Sequence, residues 1–200
     1  HGHLCCPPPR NPPGTSAAAP IAAGILALVL EARPELTWRD VQHLVVHTCV
    51  VNDPSNSDWI TNAAGHKHNL AYGFGSMDAE ALVNLAEVWE LVGAQIIHAT
   101  PEVAPSATFG GNVISTTTVE VTDAGGITEL EHVQVYVNIK NTNRGKVIID
   151  FTCPSGTPSR LLDARRDTQS AAIDWTLMTV LCWGEPAVGT YVRCCCCCGF

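Results

Sequence analysis

Two hundred residues, 46% of them apolar and 15% charged, are enough for one or two globular domains with a sizeable core. A net charge of −8, a pI near 5.4 and eleven scattered Lys and Arg residues leave no basic stripe, so no nucleic acid is expected as a partner. No charged segment followed by an apolar stretch and a small-residue cleavage site marks a signal peptide, and the longest apolar run, Ala17 to Leu30, falls short of the roughly 20 residues that span a bilayer.

Residues 1–13, HGHLCCPPPRNPP, hold five prolines and no apolar period, and are expected to be a disordered leader. From 14 to 93 the pattern is helical. GTSAAAPIAAGILALVLEA is apolar on every face, which predicts a buried central helix, with Pro20 tolerated in its first turn. In TWRDVQHLVVHT, Thr37 and Asp40 stand as a capping box with Asp in place of Glu, and Val41, Leu44, Val45 and Thr48 form a stripe. A loop rich in Asn, Asp, Ser and Gly follows, containing YGFGSMD. Asp78 then caps AEALVNLAEVWE, whose Leu82, Leu85, Ala86 and Trp89 share a face.

Beyond Val92 the period drops to two. VISTTTVEVT, EHVQVYVNIK, GKVIIDFTC, DWTLMTVLCW and GTYVRC read as about five short strands separated by turn signals such as NTNRG and GEPAVG. A β-sandwich over 94–193 is the expectation. Residues 194–200 include five consecutive cysteines, Cys194 to Cys198. Adjacent cysteines rarely meet the geometry of a bridge, and the run lacks the C-x-x-C spacing of a zinc site, so this segment is expected to be a disordered or extraneous tail.

Ser16 is the residue with chemistry to offer. A serine hydroxyl attacks carbonyls only when a base takes its proton and donors stabilise the oxyanion. The first turn of a buried helix supplies free N–H groups and the positive end of a dipole, and the small residues around Ser16 leave room for a substrate backbone. The competing reading is a plain N-cap.

GTSAAAPIAAGILALVLEARPELTWRDVQHLVVHT resembles the stretch around the nucleophile of subtilisin-like serine proteases, in their kexin and furin branch, the proprotein convertases. YGFGSMDA and the helix ending at Trp89 are similar to the end of their catalytic domain. LEHVQVYVNI, RGKVIIDFTCPSGTPSRLL and DWTLMTVLCWGE resemble the P domain, or Homo B, a β jelly roll; CPSG and CWGE are closer to the type 7 members than to furin. The resemblance implies an α/β subtilisin-like catalytic fragment over 14–93, mostly its C-terminal helices, and a truncated jelly-roll sandwich over 94–193 that packs on it. It implies a calcium-dependent serine endopeptidase that processes precursor proteins at basic sites in the secretory pathway, at the Golgi or after secretion. Ser16 matches the nucleophile. The triad Asp and His and the oxyanion Asn precede the serine in this family, and the fifteen residues before Ser16 contain no Asp; His1, His3 and Asn11 receive no role. The calcium ligands likewise fall outside the matched residues. Because removal of the base costs on the order of a millionfold in kcat in subtilisin itself, these 200 residues are expected to be inactive. The alternative is a non-catalytic binding or scaffold product built on the P domain. A jelly roll short of its last strands exposes an edge, so poor solubility is expected.

The remaining candidates are weaker. His43 and His47 are four apart on one helix, a zinc-compatible spacing better explained by packing, and His66 and His68 read as exposed loop residues. Asp53, Asp58, Asp163, Asp167 and Asp174 form no D-x-D-x-D-G loop, so no metal is assigned. Trp175 and Trp183 read as core or interdomain packing. Cys153 and Cys182 are either two buried thiols or a bridge worth about 3 kcal/mol across a loop of roughly thirty residues. Alkylation without reductant, followed by mass measurement, distinguishes them: a bridge leaves both Cys153 and Cys182 unmodified.

Overall fold

The computed structural model describes residues 14–104, 114–140 and 143–197; the leader 1–13 and the end of the tail, 198–200, lie outside the described residues. The chain divides into two units, one of residues up to 57 with 69–93, the other of 58–68 with 94–200.

The first unit contains α1 (Gly14–Ala32), α2 (Trp38–Thr48) and α3 (Ala79–Val88). Thr37 and Asp40 form the capping box at the start of α2, and Asp78 caps α3 by accepting from the Ala81 N–H. Val29 of α1 meets Leu36, Leu44 of α2 and Leu82 and Ala86 of α3 in one apolar cluster. Arg33, just past α1, donates to the carbonyls of Ala86 and Trp89, and so caps the C-terminal end of α3 with a cation.

The expectation of a buried α1 does not hold. Val29 is its only buried residue, and Ile21 and Leu28 are 66% and 53% exposed. An all-apolar surface says that every face can be buried, whereas burial needs covering elements, and within this unit α2 and α3 reach one face only. With 19 residues and a mean hydropathy of 1.7, α1 is long and apolar enough, by length and composition, to cross a membrane. Pro20 is the seventh helical residue rather than part of the first turn.

Asp40 ties this unit together. One carboxylate oxygen accepts from the Thr37 N–H (2.8 Å) and hydroxyl (2.5 Å), the other from the Trp89 indole (2.9 Å) and the Val92 N–H (2.7 Å). The side chain is fully buried. Burial alone would raise its pKa, but the bonds from Thr37, Val92 and Trp89 outweigh that and hold it at about 2.

The second unit carries β1 (Ile60–Thr61), β2 (Lys67–His68), β3 (Ser115–Val121), β4 (Val133–Ile139), β5 (Val147–Thr152), β6 (Pro158–Leu162), β7 (Ile173–Thr179) and β8 (Gly189–Cys197). Four strands form an antiparallel sheet in the order β3-β8-β5-β6, and β4 pairs with β7 in a second sheet. Val137 and Ile173 from the smaller sheet meet Val147, Ile149 and Cys195 from the larger in a shared apolar cluster. Strand β6 escapes the sequence pattern because it opens with proline and pairs only with β5 on its known side, as an edge strand can.

Two boundaries differ from the sequence expectation. Cys194 to Cys197 do not form a detached tail: they continue β8 between β3 and β5, with Cys195 buried opposite Ser115 and Ile149. A cysteine is a small apolar residue that fits a pleated surface; Cys194 and Cys195 are paired with strands on both sides, and Cys196 and Cys197 with β5. The short hairpin β1–β2 belongs with the β unit rather than with the helices. Its Asn62 amide donates to the carbonyls of Leu181 and Trp183, both at 2.9 Å, and its Ala63 N–H donates to buried Glu185 at 2.9 Å. Glu185 also accepts from the Thr157 hydroxyl, and Cys153 and Cys182 are joined as a disulfide beside it.

His68, expected in an exposed loop, is 1% exposed in β2. Neither ring nitrogen has a hydrogen-bond partner among the described residues, and the same is true of the second Glu185 carboxylate oxygen. Burial lowers the His68 pKa, and the Glu185 charge opposes this only in part.

Two outcomes follow from these groups. Asp40 contributes stability that is complete above the ordinary carboxyl value of 3.8 and lost as pH falls through about 2. Asp40→Asn should therefore cost about 2 kcal/mol in urea unfolding at pH 7 and progressively less in acid. His68 folds neutral, so its contribution is present above the ordinary value of 6.5 and declines as pH falls below it. Amide exchange at Asn62, corrected for the intrinsic pH dependence, should lose protection between pH 7 and 5 in the native chain and stay level in His68→Phe.

Candidate active site

Ser16 is the third residue of α1 and is exposed. It therefore lies inside the first turn rather than at the N-cap, among amides that have no intrahelical acceptor. No acidic residue occupies that turn. Proline has no N–H, so Pro20 cannot bond the carbonyl of Ser16 four residues before it. The positions where a Cβ would sit on Gly14 and Gly24 meet nothing within 4 Å. The surroundings are thus open to solvent, positive in potential and free of bulky side chains, which suits an approaching carbonyl and a developing oxyanion. Among the described residues, no histidine or carboxylate is hydrogen-bonded to the Ser16 hydroxyl, so the group that would take its proton is not at hand.

The histidine pair on α2 has a packing role. The rings of His43 and His47 stack with centroids 6.3 Å apart, and both lie against the Trp89 indole at 6.0 and 5.8 Å. Trp89 in turn donates to Asp40, so these histidines line the same junction that closes α2 against the end of α3. His66 lies against Gly184, where a Cβ would come within 3.3 Å of its ring nitrogen.

The carboxylates named from the sequence are spread out and engaged locally. Asp53 accepts from the Ser55 and Tyr72 hydroxyls, Asp167 pairs with Arg144 at 2.6 Å, Asp163 with Arg160 at 3.0 Å, and Asp174 accepts from Tyr136. Among the described residues, the only convergence of potential ligands is Cys153, Cys182 and Glu185. Its two sulfurs are bonded to each other, which leaves one carboxylate, already accepting from Thr157 and Ala63. Calcium takes six to eight oxygen ligands, so this set does not fit the ion that the family resemblance implies. Of the two tryptophans read as core or interdomain packing, Trp183 is buried and meets His132 edge to face, whereas Trp175 is 67% exposed and so is not a core residue. It lies on β7, which pairs with β4 in the two-stranded sheet. Buried Glu185 has no counterpart among the residues singled out from the sequence, and His68 reads there as an exposed loop residue; a Glu amid CWGEPAV, an apolar turn, is the available signal for the first.

The comparisons with known proteins cover both units. Residues 11–75 match the subtilase family, and residues 130–192 match the proprotein convertase P-domain. The chain is 41% identical over 186 residues to the human proprotein convertase subtilisin/kexin type 7, and 43% identical over 189 residues to the type 5 protein of Rattus norvegicus. These alignments take in 89% and 91% of this chain but 24% and 10% of the relatives, so the chain spans about a quarter or less of their length. A solved serine protease of Aeromonas sobria superposes with a TM-score of 0.76 at 24% identity, covering 92% of this chain and 37% of that one, a likeness of fold alone. The two matched families and these relatives together identify the chain as a subtilase segment followed by a proprotein convertase P-domain segment.

Proposed function

We propose that the chain is part of a kexin-type serine endopeptidase that processes precursor proteins at basic sites in the secretory pathway, with Ser16 as its nucleophile. The observation that carries this reading is the joint match: a subtilase segment containing Ser16 and a P-domain segment, both within relatives at 41–43% identity. The disulfide between Cys153 and Cys182 supports a secretory route, since such bridges persist in oxidising compartments. In this reading the β unit is the family's jelly roll, carrying the β1–β2 hairpin as an outlying part and the cysteine run as the end of β8. The uncovered faces of α1 would then pack against further parts of a longer protein, which would also supply the Asp, the His, the oxyanion Asn and the calcium ligands.

Within such an active site the chemistry assigned to this chain is narrow. The Ser16 oxygen attacks the scissile carbonyl once a base has taken its proton, and the first-turn amides of α1 favour the negative charge that develops. Among the described residues no such base is hydrogen-bonded to Ser16. Incubated with calcium and a fluorogenic dibasic peptide, it should show no turnover; hydrolysis that disappears in Ser16→Ala would overturn this. The transcript upstream of Gly14 is expected to carry an open frame for the Asp, His and Asn segments, and an initiation codon close by would favour a binding product instead.

A further inference from the structure

Arg165 and Arg166 are the only adjacent pair of Lys or Arg residues in the sequence. They lie between β6 and β7 in residues 163–172, with no regular structure, and both side chains are exposed. The Asp167 N–H donates to the Arg165 carbonyl at 2.8 Å, which closes a three-residue turn with Arg166 at its apex. This segment lies between the two halves of the disulfide, twelve residues after Cys153 at Arg165 and fifteen before Cys182 at Asp167.

We propose that the Arg166–Asp167 bond is a masked nicking site for a dibasic-specific endopeptidase, and that the Cys153–Cys182 bridge keeps the two products joined. An enzyme of that kind reads two successive positive side chains in acidic subsites, and Arg165 and Arg166 offer this pattern at one place only. Hydrolysis adds one water: the C–N bond between Arg166 and Asp167 breaks, Arg166 ends in a carboxylate, and Asp167 becomes a new amino terminus. No oxidant or cofactor is needed. The chain acts here as substrate, so the inference does not depend on any activity of Ser16.

The mask is the strip of backbone around Gly145. The Arg165 N–H donates to the Gly145 carbonyl at 2.8 Å, the Gly145 N–H to the Asp167 carbonyl at 3.1 Å, and the Arg144 N–H to the Gln169 carbonyl at 3.3 Å. A Cβ on Gly145 would fall 2.1 Å from the Asp167 carbonyl oxygen and 2.6 Å from that of Arg165, so this close approach requires glycine. The Arg144–Asp167 ion pair holds the far side of the scissile bond, and Arg165 reaches the same carboxylate at 3.8 Å. A protease must draw several residues into an extended strand, which these bonds prevent while they stand. Their release need not disturb the sheets, because β6 is paired with β5 and β7 with β4. Cleavage therefore follows the population of a locally opened loop.

The test uses the whole chain with a purified kexin-type dibasic endopeptidase, followed by intact mass. Without reductant the product should be a single species one water heavier than the substrate; with reductant it should separate into residues 1–166 and 167–200. Arg166→Gln should abolish the cut. Arg144→Gln, which removes a half-buried ion pair from the latch, should speed it by about fivefold. An uncut chain, a first cut after any other basic residue, pieces that separate without reductant, or a rate unchanged by Arg144→Gln would overturn the proposal.

Discussion

A buried carboxylate has to find donors for its oxygens, because an ionised group stripped of water and left unpaired costs several kcal/mol. Both units of this chain are organised around that requirement. Asp40 meets it in full: four donors from Thr37, Trp89 and Val92 occupy its two oxygens, and in doing so they join the start of α2 to the segment that leaves α3. Trp89 then positions the His43 and His47 rings, so a motif with metal-binding spacing becomes a packing surface. Glu185 meets it at one oxygen, by recruiting the β1–β2 hairpin through Ala63 and the β5–β6 turn through Thr157, while its second oxygen has no hydrogen-bond partner among the described residues and lies near neutral His68. The two carboxylates are chemically alike, and each draws partners both from nearby and from far along the chain: Thr37 with Trp89 and Val92 for Asp40, Thr157 with Ala63 for Glu185.

Helix α1 shows why apolarity and burial are different statements. Its composition permits a central position, and its single buried residue, Val29, shows how little of that capacity is used within this unit. The exposed, uncrowded first turn around Ser16 follows from the same fact. A serine in that setting has an environment that tolerates an oxyanion and, among the described residues, no hydrogen-bonded base, and those two properties have different origins. The first is local to the helix terminus, and the second depends on residues brought in by the fold.

In the β unit, the disulfide and the cysteine strand place the same element in opposite roles. Cys153 and Cys182 cross-link a segment that contains the irregular β6–β7 connection, where the sheets supply no ladder and Gly145 supplies one instead. Cys195 stays a thiol in the core, with burial pushing its pKa up and keeping it protonated and inert. Strand β6, by contrast, holds the sheet edge with the segment PSRLL, which has little strand character of its own and pairs because β5 lies beside it.

What could be read from the sequence alone was whatever depends on near neighbours. The Thr37–Asp40 box, the Asp78 cap, the stripe through Leu44 and the alternation in β3, β4 and β7 are set by residues within one or two turns or strands of each other, and the motif around Ser16 carries its family in a single short stretch. Tertiary structure decided the rest: which face of α1 is covered, that the β1–β2 hairpin belongs to the β unit, that Cys194 and Cys195 sit inside a sheet, and that Glu185 and His68 are both buried. Each of these turns on partners far away in sequence, where burial and hydrogen bonding are settled by which elements meet rather than by the pattern within either one.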